Sequence, residues 1–456
     1  MMQTTPASSA SATLSQDEAR ALTSRVLSFS TADQTRVTVI SERSGNTRFA
    51  DGSITTSGGT NDTSVTVTVT FGRRRASSST NVLDDASLRR TVDLASRLAR
   101  LAPEDPELMP ELGPQTYTAV AAFVEATADL DGEARAEAIG RAIGAATAAG
   151  KPAGTIFSAG YLEANTRAIA VATSSGVFAY HRTTDADFSV TARTPDGTGS
   201  GWAHGGARDW NAVNPEAIGR VAAQKAVASR NPQEIAPGLY TAVLEPQAVN
   251  DLIPLLAAAL AARNADEGRS AFSKAGGGTR IGEKVADERV TLYSDPADAG
   301  LLGQPFDQEG LPLRRMVWIE KGILKNLAYS RFWAQKQGKE PTGSPFFGGL
   351  ALVGGSKSTD ELIAGCARGV LVTHFFYIRS LDPRTVLQTG LTRDGAFLIE
   401  NGKVTRPLKN FRWNESPLLM LNRLEDIGRP EPTAAGRLMP ALRVRDFNFA
   451  SLSDAV

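Results

Sequence analysis

RVTVISERSGNTRFADGSITTSGGTNDTSVTVTVTFGRRRASSST, Arg36 to Thr80, decides the fold. β-branched residues alternate with polar ones, and Gly45, Gly52, Gly58 and Gly59 interrupt them, which predicts a meander of antiparallel strands. Within it VTVTVTF, Val65 to Phe71, has a period of two, placing the valines and Phe71 on one face and the threonines on the other. The next stretch, DDASLRRTVDLASRLARLA, carries Leu88, Val92, Ala95, Leu98 and Ala99 on one helical stripe, and Pro103, Pro106 and Pro110 end it. Upstream, SQDE is a capping box with Ser15 as N-cap and Glu18 three residues on, predicting a helix to about Val26. Residues 1–14 read as a small-residue, disordered lead-in.

The same order recurs downstream. An Ala-rich helix is predicted over Gly132–Gly150, strands return near 153, and NPEAIGRVAAQKAVASRNP opens a helix with Asn214 and Pro215. Strands followed by a helix thus occur near 36–102 and again near 153–231, the pattern of an internal duplication, although any antiparallel α+β chain can show two such units. SRNPQEIAPG, Ser229 to Gly238, is a polar joint, giving an N-terminal α+β domain over 15–232 and a C-terminal one over 233–456. The second half holds the apolar helical stretch LIPLLAAALAA, Leu252 to Ala262, and then mostly short strands. Gly322 and the Asn401–Gly402 pair mark hairpin turns. STDELIAGCARG reads as a capped helix stopping near Gly369.

Composition narrows the function. Lys plus Arg is 49 and Asp plus Glu is 49 in 456 residues, so the formal charge of zero argues against a nucleic-acid or anionic-membrane footprint. A single cysteine excludes a disulfide framework and multi-cysteine metal sites, and three histidines leave little for imidazole chemistry. No stretch approaches the roughly 20 apolar residues that span a bilayer, and the N-terminus has no signal-peptide pattern, so a soluble cytoplasmic protein is expected.

Several stretches in fixed order resemble the TldD/PmbA (TldD/TldE) family, once labelled modulators of DNA gyrase. They are PGLYTAVLEPQAVNDLI (237–253), GRSAFSKAGGGTRIGEKVADERVTLYSDP (268–296), FDQEGLPLRRMVWIEKGILKNLAYSRFWAQKQGKEPTG (306–343), GGSKSTDELIAGCARGVLV (354–372) and FLIENGKVTRPLKNFRWN (397–414). The first domain's NTRFADGSIT and VTVTVTFGRRRASSST are similar too, so the likeness runs from about residue 15 onward. The resemblance implies an α+β fold and a metallopeptidase system acting on unfolded or small peptides. In it a TldD-type subunit holds zinc with an HExxxH helix and a cysteine near its C-terminus. A PmbA/TldE-type subunit lacks those ligands and pairs with it.

Laid on this chain, the HExxxH positions fall on Leu255, Leu256 and Leu260, none of which has a lone pair to give. The C-terminal tail has no cysteine, and the sole one, Cys366, is read as a packing residue rather than a nucleophile. No metal or cofactor is therefore expected in this chain, and zinc is expected in a partner subunit. His374, on an aromatic-rich strand, is either a base or an ordinary strand residue. Arg393, Asp394 and Glu400 are expected to meet around a charged turn. His204, beside Trp202 and Trp210, is placed in a Gly-rich loop able to grip a peptide, or at a hairpin tip. GGGTRIG lacks the GK[ST] ending of a phosphate loop, the Arg73–Arg75 run is too short to indicate DNA, and Ser358 or Thr359 is explained as an N-cap.

The expected role is that of a zinc-less, TldE-like partner in proteolysis, binding an extended peptide beside a zinc-bearing homologue or in a homodimer. The alternatives are a stand-alone peptide hydrolase or modifying enzyme working through His374, Arg393, Asp394 and Glu400, and, least favoured, a DNA-gyrase modulator.

Overall fold

The structure, a computed structural model, describes residues 13–434 and 436–454. Most of the expected lead-in lies outside them, but its last two residues are held in place. The Leu14 N–H donates to Ser41 Oγ at 3.2 Å and the Leu14 carbonyl accepts from the Tyr180 hydroxyl at 2.7 Å.

The N-terminal half begins with α1 (Gln16–Leu27), whose capping box between Ser15 and Glu18 is present as expected. Strands β1 (Gln34–Ala50), β2 (Ser53–Phe71) and β3 (Arg74–Thr80) follow, then α2 (Asp85–Leu101). After the single turn α3 (Glu125–Ala128), the order repeats: α4 (Gly132–Gly150), β4 (Phe157–Thr173), β5 (Phe178–Arg193), β6 (Ser200–Ala207) and α5 (Pro215–Ala228). The six strands form one sheet in the order β3-β2-β1-β4-β5-β6, all antiparallel. Each repeat's first strand meets the other's at the centre, β1 against β4 from Arg36↔Thr173 to Ala50↔Ala159. The duplication read from the sequence is thus visible as a sheet with matching halves.

Period two decides which face each strand buries. Val65, Val67 and Val69 lose nearly all solvent contact beneath α1 and α2, together with Val37, Val39, Leu88 and Val92; burial of each such side chain stabilises by about 1.5–3 kcal/mol. Phe49, Leu162, Phe188 and Val190 do the same beneath α4 and α5. Two expectations change. Leu98 is 43% exposed, off the buried stripe of α2. Of the four glycines expected to break the meander, only Gly52 sits at a turn, with φ of 73°. Gly45 faces Gly59 inside the β1–β2 ladder, and a Cβ at Gly45 would collide with the Arg135 guanidinium lying over it.

The C-terminal half opens with β7 (Gly238–Leu244), α6 (Pro246–Ala258) and α7 (Ala262–Asp266). Strands β8 (Thr291–Ser294), β9 (Met316–Glu320) and β10 (Ile323–Leu324) precede α8 (Arg331–Gln337), β11 (Ala351–Val353) and α9 (Thr359–Ala364). Then come β12 (Arg368–Asp382), β13 (Leu387–Glu400), β14 (Lys403–Leu408), β15 (Phe411–Glu415), α10 (Pro417–Met420), β16 (Leu424–Thr433) and β17 (Arg437–Leu452). These eleven strands make a second sheet, whose pairings β17-β15-β13-β12-β7 return to β17, so that part closes on itself. Closure removes sheet edges. It surrounds an aromatic cluster in which the rings of Phe375, Trp413 and Phe447 approach to between 4.7 and 6.0 Å. Asn401 and Gly402, with φ of 51° and 75°, form the expected tight turn between β13 and β14.

The two sheets touch. Phe306 from the second half fills the other face of the first sheet against Ile169, Val171, Val177 and Ala179. The edge strand β6 lies against β13 and β16.

Candidate functional site

The helix α6 carries the positions where the resemblance would put metal ligands. Pro246 opens it at its first turn and it ends at Ala258, so it starts and stops earlier than its apolar run, and Leu260 lies beyond its C-cap. Leu256 and Leu260 have no solvent contact, and Leu255 packs partly buried on the same core. Hydrocarbon at all three positions offers a zinc ion no donor. Among the described residues no group of three or more His, Cys, Asp or Glu is arranged to hold a metal. The residues at these three positions do not fit zinc.

One turn before Leu255, α6 holds a polar anchor that sequence reasoning missed. Asp251 accepts from the Phe375 N–H at 2.8 Å and from the Gln247 side-chain amide at 2.9 Å. Burial pushes its carboxyl up to about 6, against the opposing pull of its hydrogen bonds and of Arg437. The bond fixes β12 where its ladder with β13 slips between Val372 and His374. A lone carboxylate within AVNDLIPLL was the available signal.

Beside Leu255, Ala258 and Ala259 is an open cavity of about 250 Å³, also lined by Ser380, Pro383, Val386 and Gln388 of the β12–β13 hairpin. That hairpin presents Phe376, Tyr377 and Leu381 to solvent, exposed by 45%, 54% and 52%. The neighbour β7 pairs only with Gly369–Val372 of β12, so beyond Phe375 one backbone edge of β12 has no strand beside it among the described residues.

His374, Arg393 and Asp394 do come together, but not around a turn. His374 on β12 pairs directly with Arg393 on β13. Its Nε2 lies 3.4 Å from Asp394 Oδ2, and the Arg393 guanidinium is 3.8 Å from the same oxygen. Asp394 and Gly395, at φ of 52° and 128°, form a kink inside β13, and the Thr373 hydroxyl donates to carbonyls there. Glu400 is not part of this cluster. It pairs with Arg368 six residues further along β13 and accepts from the Thr405 hydroxyl at 3.0 Å, about 20 Å away along an extended strand.

The cluster faces the first sheet. The Ser200 hydroxyl donates to Asp394, and the Trp202 ring packs 4.8 Å from His374 on one side and 5.7 Å from His204 on the other. His204 therefore sits on strand β6 rather than in a loop, bonded to Asp187 at 2.7 Å. A Cβ at Gly201 would collide with the Ala222 carbonyl, so glycine lets α5 approach this strand closely. A cavity of about 120 Å³ opens beside Ser200, Asp394, Lys409 and Asn410.

This arrangement suits a seam better than a catalytic centre. Burial lowers the His374 imidazole to about 4, outweighing the attraction of Asp394, and its Nδ1 has no partner. A serine nucleophile needs the imidazole at its own hydroxyl. Here the carboxylate stands between Ser200 and His374, and Trp202 covers the ring. Cys366 lies past α9, which ends at Ala364 with Gly365 as C-cap, and Gly369 belongs to β12 rather than to that helix. Buried against Val243, Leu362 and Phe397, with its thiol pushed up by desolvation, Cys366 is placed for packing.

Comparison with known proteins gives a consistent family. Residues 36–99, 125–230 and 237–451 match, respectively, PmbA/TldA metallopeptidase domain 1, its central domain and its C-terminal domain. A metalloprotease of Methanothermobacter thermautotrophicus is 30% identical over 163 residues, 33% of this chain and 35% of that protein. A metalloprotease TldD homolog of Buchnera aphidicola is 26% identical over 162 residues, 32% of this chain and 33% of that one. The match thus spans about a third of these relatives' length. TldE from Thermococcus kodakarensis superposes with a TM-score of 0.81 at 19% identity over 94% of this chain and 98% of its own. A Thermotoga maritima protein described as a modulator of a DNA gyrase gives 0.83 at 20% identity over 94% and 99%. No helix among the described residues is long and apolar enough to cross a membrane.

Proposed function

The chain belongs to the PmbA/TldD metallopeptidase family, and from that membership we propose that it is a subunit without a zinc site of its own, working beside a zinc-bearing homologue on unfolded or small peptides. The observation that carries this reading is the hydrocarbon at Leu255, Leu256 and Leu260, packed into the core where a metal subunit would need donors. The fold shared with TldE supports it.

The part this chain would play follows from what lies beside α6. The β12–β13 hairpin sets exposed Phe376, Tyr377 and Leu381 next to an edge of β12 that β7 does not pair with and a cavity of about 250 Å³. An extended peptide binds such an edge through main-chain hydrogen bonds, largely without regard to sequence. The chain would then supply a wall of the peptide chamber, and the homologue the water-activating ion.

The test is co-expression with an HExxxH homologue from the same genome, co-purification and a peptidase assay. A stable complex at least tenfold more active than the zinc subunit alone is expected. Activity no greater in the mixture rejects the partner role. Chelator-insensitive turnover by this chain alone, lost in His374→Ala, would instead favour a stand-alone enzyme.

A further inference from the structure

The two repeats of the first sheet end in equivalent edge strands, β3 and β6, and only one of them is covered. β6 is sealed by the second half through Ser200 to Asp394 and through Arg208, which donates to the carbonyls of Leu301 and Gly303. β3 has β2 on one side and, among the described residues, no strand on the other, where the Asp105 N–H donates to the Arg73 carbonyl just before its start.

The register shows which β3 groups are open. A two-residue turn at Gly72 and Arg73 joins β2 to β3, closing on the pair Phe71↔Arg74. In such a hairpin the closing pair exchanges hydrogen bonds and the alternation continues outward. Arg74, Ala76, Ser78 and Thr80 therefore turn their backbone groups to β2, while Arg75, Ser77 and Ser79 turn theirs away. Ser77 and Ser79 are also exposed. The 2.8 Å contact between Ser77 Oγ and Thr68 Oγ1 agrees, because facing side chains come closest in the pairs that do not exchange backbone bonds.

Alongside α2 runs a groove of about 970 Å³, bordered by this edge at Ser78, Ser79 and Thr80 and also by Phe29 and Thr31 of the α1–β1 connection. Its floor includes Ser78 and Thr80, and its helix wall carries Arg90, Leu94, Arg97 and Arg100. Leu94 is 41% exposed. Arg90 donates to the Ser87 hydroxyl within the field of the Asp84 carboxylate, while Arg100 lies over the Phe71 ring and, among the described residues, neither Arg97 nor Arg100 has an ion-pair partner. Asp93 is the acidic residue lining this groove, which leaves it with an excess of positive charge.

We propose that β3 and α2 form a docking groove for an acidic peptide segment bound in extended form. The segment pairs along Arg75–Ser79 as a seventh strand. Its carboxylates meet Arg90, Arg97 and Arg100, and an apolar side chain rests on Leu94. The groove lies on the opposite edge of the first sheet from the seam with the second half, so it is separate from the hairpin proposed to line the peptide chamber.

The test is fluorescence anisotropy on the full chain with a labelled heptapeptide of alternating Glu and Val, against one of alternating Lys and Val. The acidic peptide is expected to bind at least tenfold more tightly, and more weakly as salt is raised. Arg90→Glu with Arg97→Glu, both exposed and away from the core, is expected to reverse that preference while leaving the melting temperature in place. Ser77→Pro, which removes one outward N–H and keeps every charge, is expected to weaken binding at least tenfold. Equal binding of both peptides, or unchanged binding in the double charge reversal, overturns the proposal. So does sedimentation showing a dimer that the charge reversal dissolves, which would assign the groove to a second copy of the chain.

Discussion

The two repeats of the N-terminal sheet share one plan and meet different surroundings. In the first, α1 and α2 cover β1, β2 and β3, and the outer strand faces solvent. In the second, α4 and α5 cover β4, β5 and β6, and the outer strand is pressed against the other half of the molecule. The residue just after each outer strand shows the contrast. After β3 it is Asn81, exposed and bonded to Asp62 at 3.3 Å. After β6 it is Arg208, 9% exposed, with its guanidinium on backbone carbonyls of the second half. A duplicated plan thus supplies two similar strands, and the neighbour of each strand gives it its use.

The largest expected effect breaks this contrast at Arg208. Arg208→Met leaves the Leu301 and Gly303 carbonyls without their donor and should cost about 2–4 kcal/mol in urea unfolding, whereas Asn81→Ala should stay within about 0.5 kcal/mol. Equal costs at the two positions would mean that the seam is held elsewhere.

A smaller effect concerns pH. All three histidines, His181, His204 and His374, lie in the second repeat or at its seam. Burial, reinforced by Arg208, lowers His181 to about 4 from the usual 6.5, and its Nε2 has no partner. The unfolded chain therefore binds the proton more readily between those values. Stability tied to His181 is complete above pH 6.5 and falls as pH drops toward 4, by up to about 1.4 kcal/mol per pH unit. Asp251, raised to about 6, acts in the opposite sense over part of the same range, losing stability as pH rises. The informative quantity is thus the difference between parent and His181→Phe. The variant should lose less stability than the parent between pH 6.5 and 4.5, and parallel profiles would show that His181 is not held neutral.

The smallest effect tests whether the repeats are alike where they should be. Ser15 caps α1 and Asp131 caps α4, each accepting a backbone N–H of the first turn. Ser15→Ala and Asp131→Ala should each cost about 1 kcal/mol in thermal unfolding. A cost at one and not the other would separate the two repeats already at the level of single helices.

Much of this could be read from residue order. Alternation in Val65–Phe71, the caps at Ser15, Asn214 and Ser358, and the Asn401–Gly402 turn are local signals, and local physics obeyed them. Gly45 and Gly59 misled because a glycine inside a ladder looks like a glycine at a turn until the side chain above it is known. The suspected cluster was half legible. His374, Arg393 and Asp394 converge because β12 and β13 pair in that register, and Glu400 does not because the strand continues straight past the kink.

The sequence by itself determined the elements, their duplicated order and the absence of donor atoms at Leu255, Leu256 and Leu260, because periodicity, capping and side-chain chemistry act over a few residues. Only the tertiary structure decided that Ser200 and Trp202 lock onto Asp394 and His374, that Asp251 anchors Phe375, and that β6 is covered while β3 is left open. Those contacts join residues that are, in these cases, more than a hundred positions apart. Their pairing depends on how the two sheets pack, which no local pattern encodes.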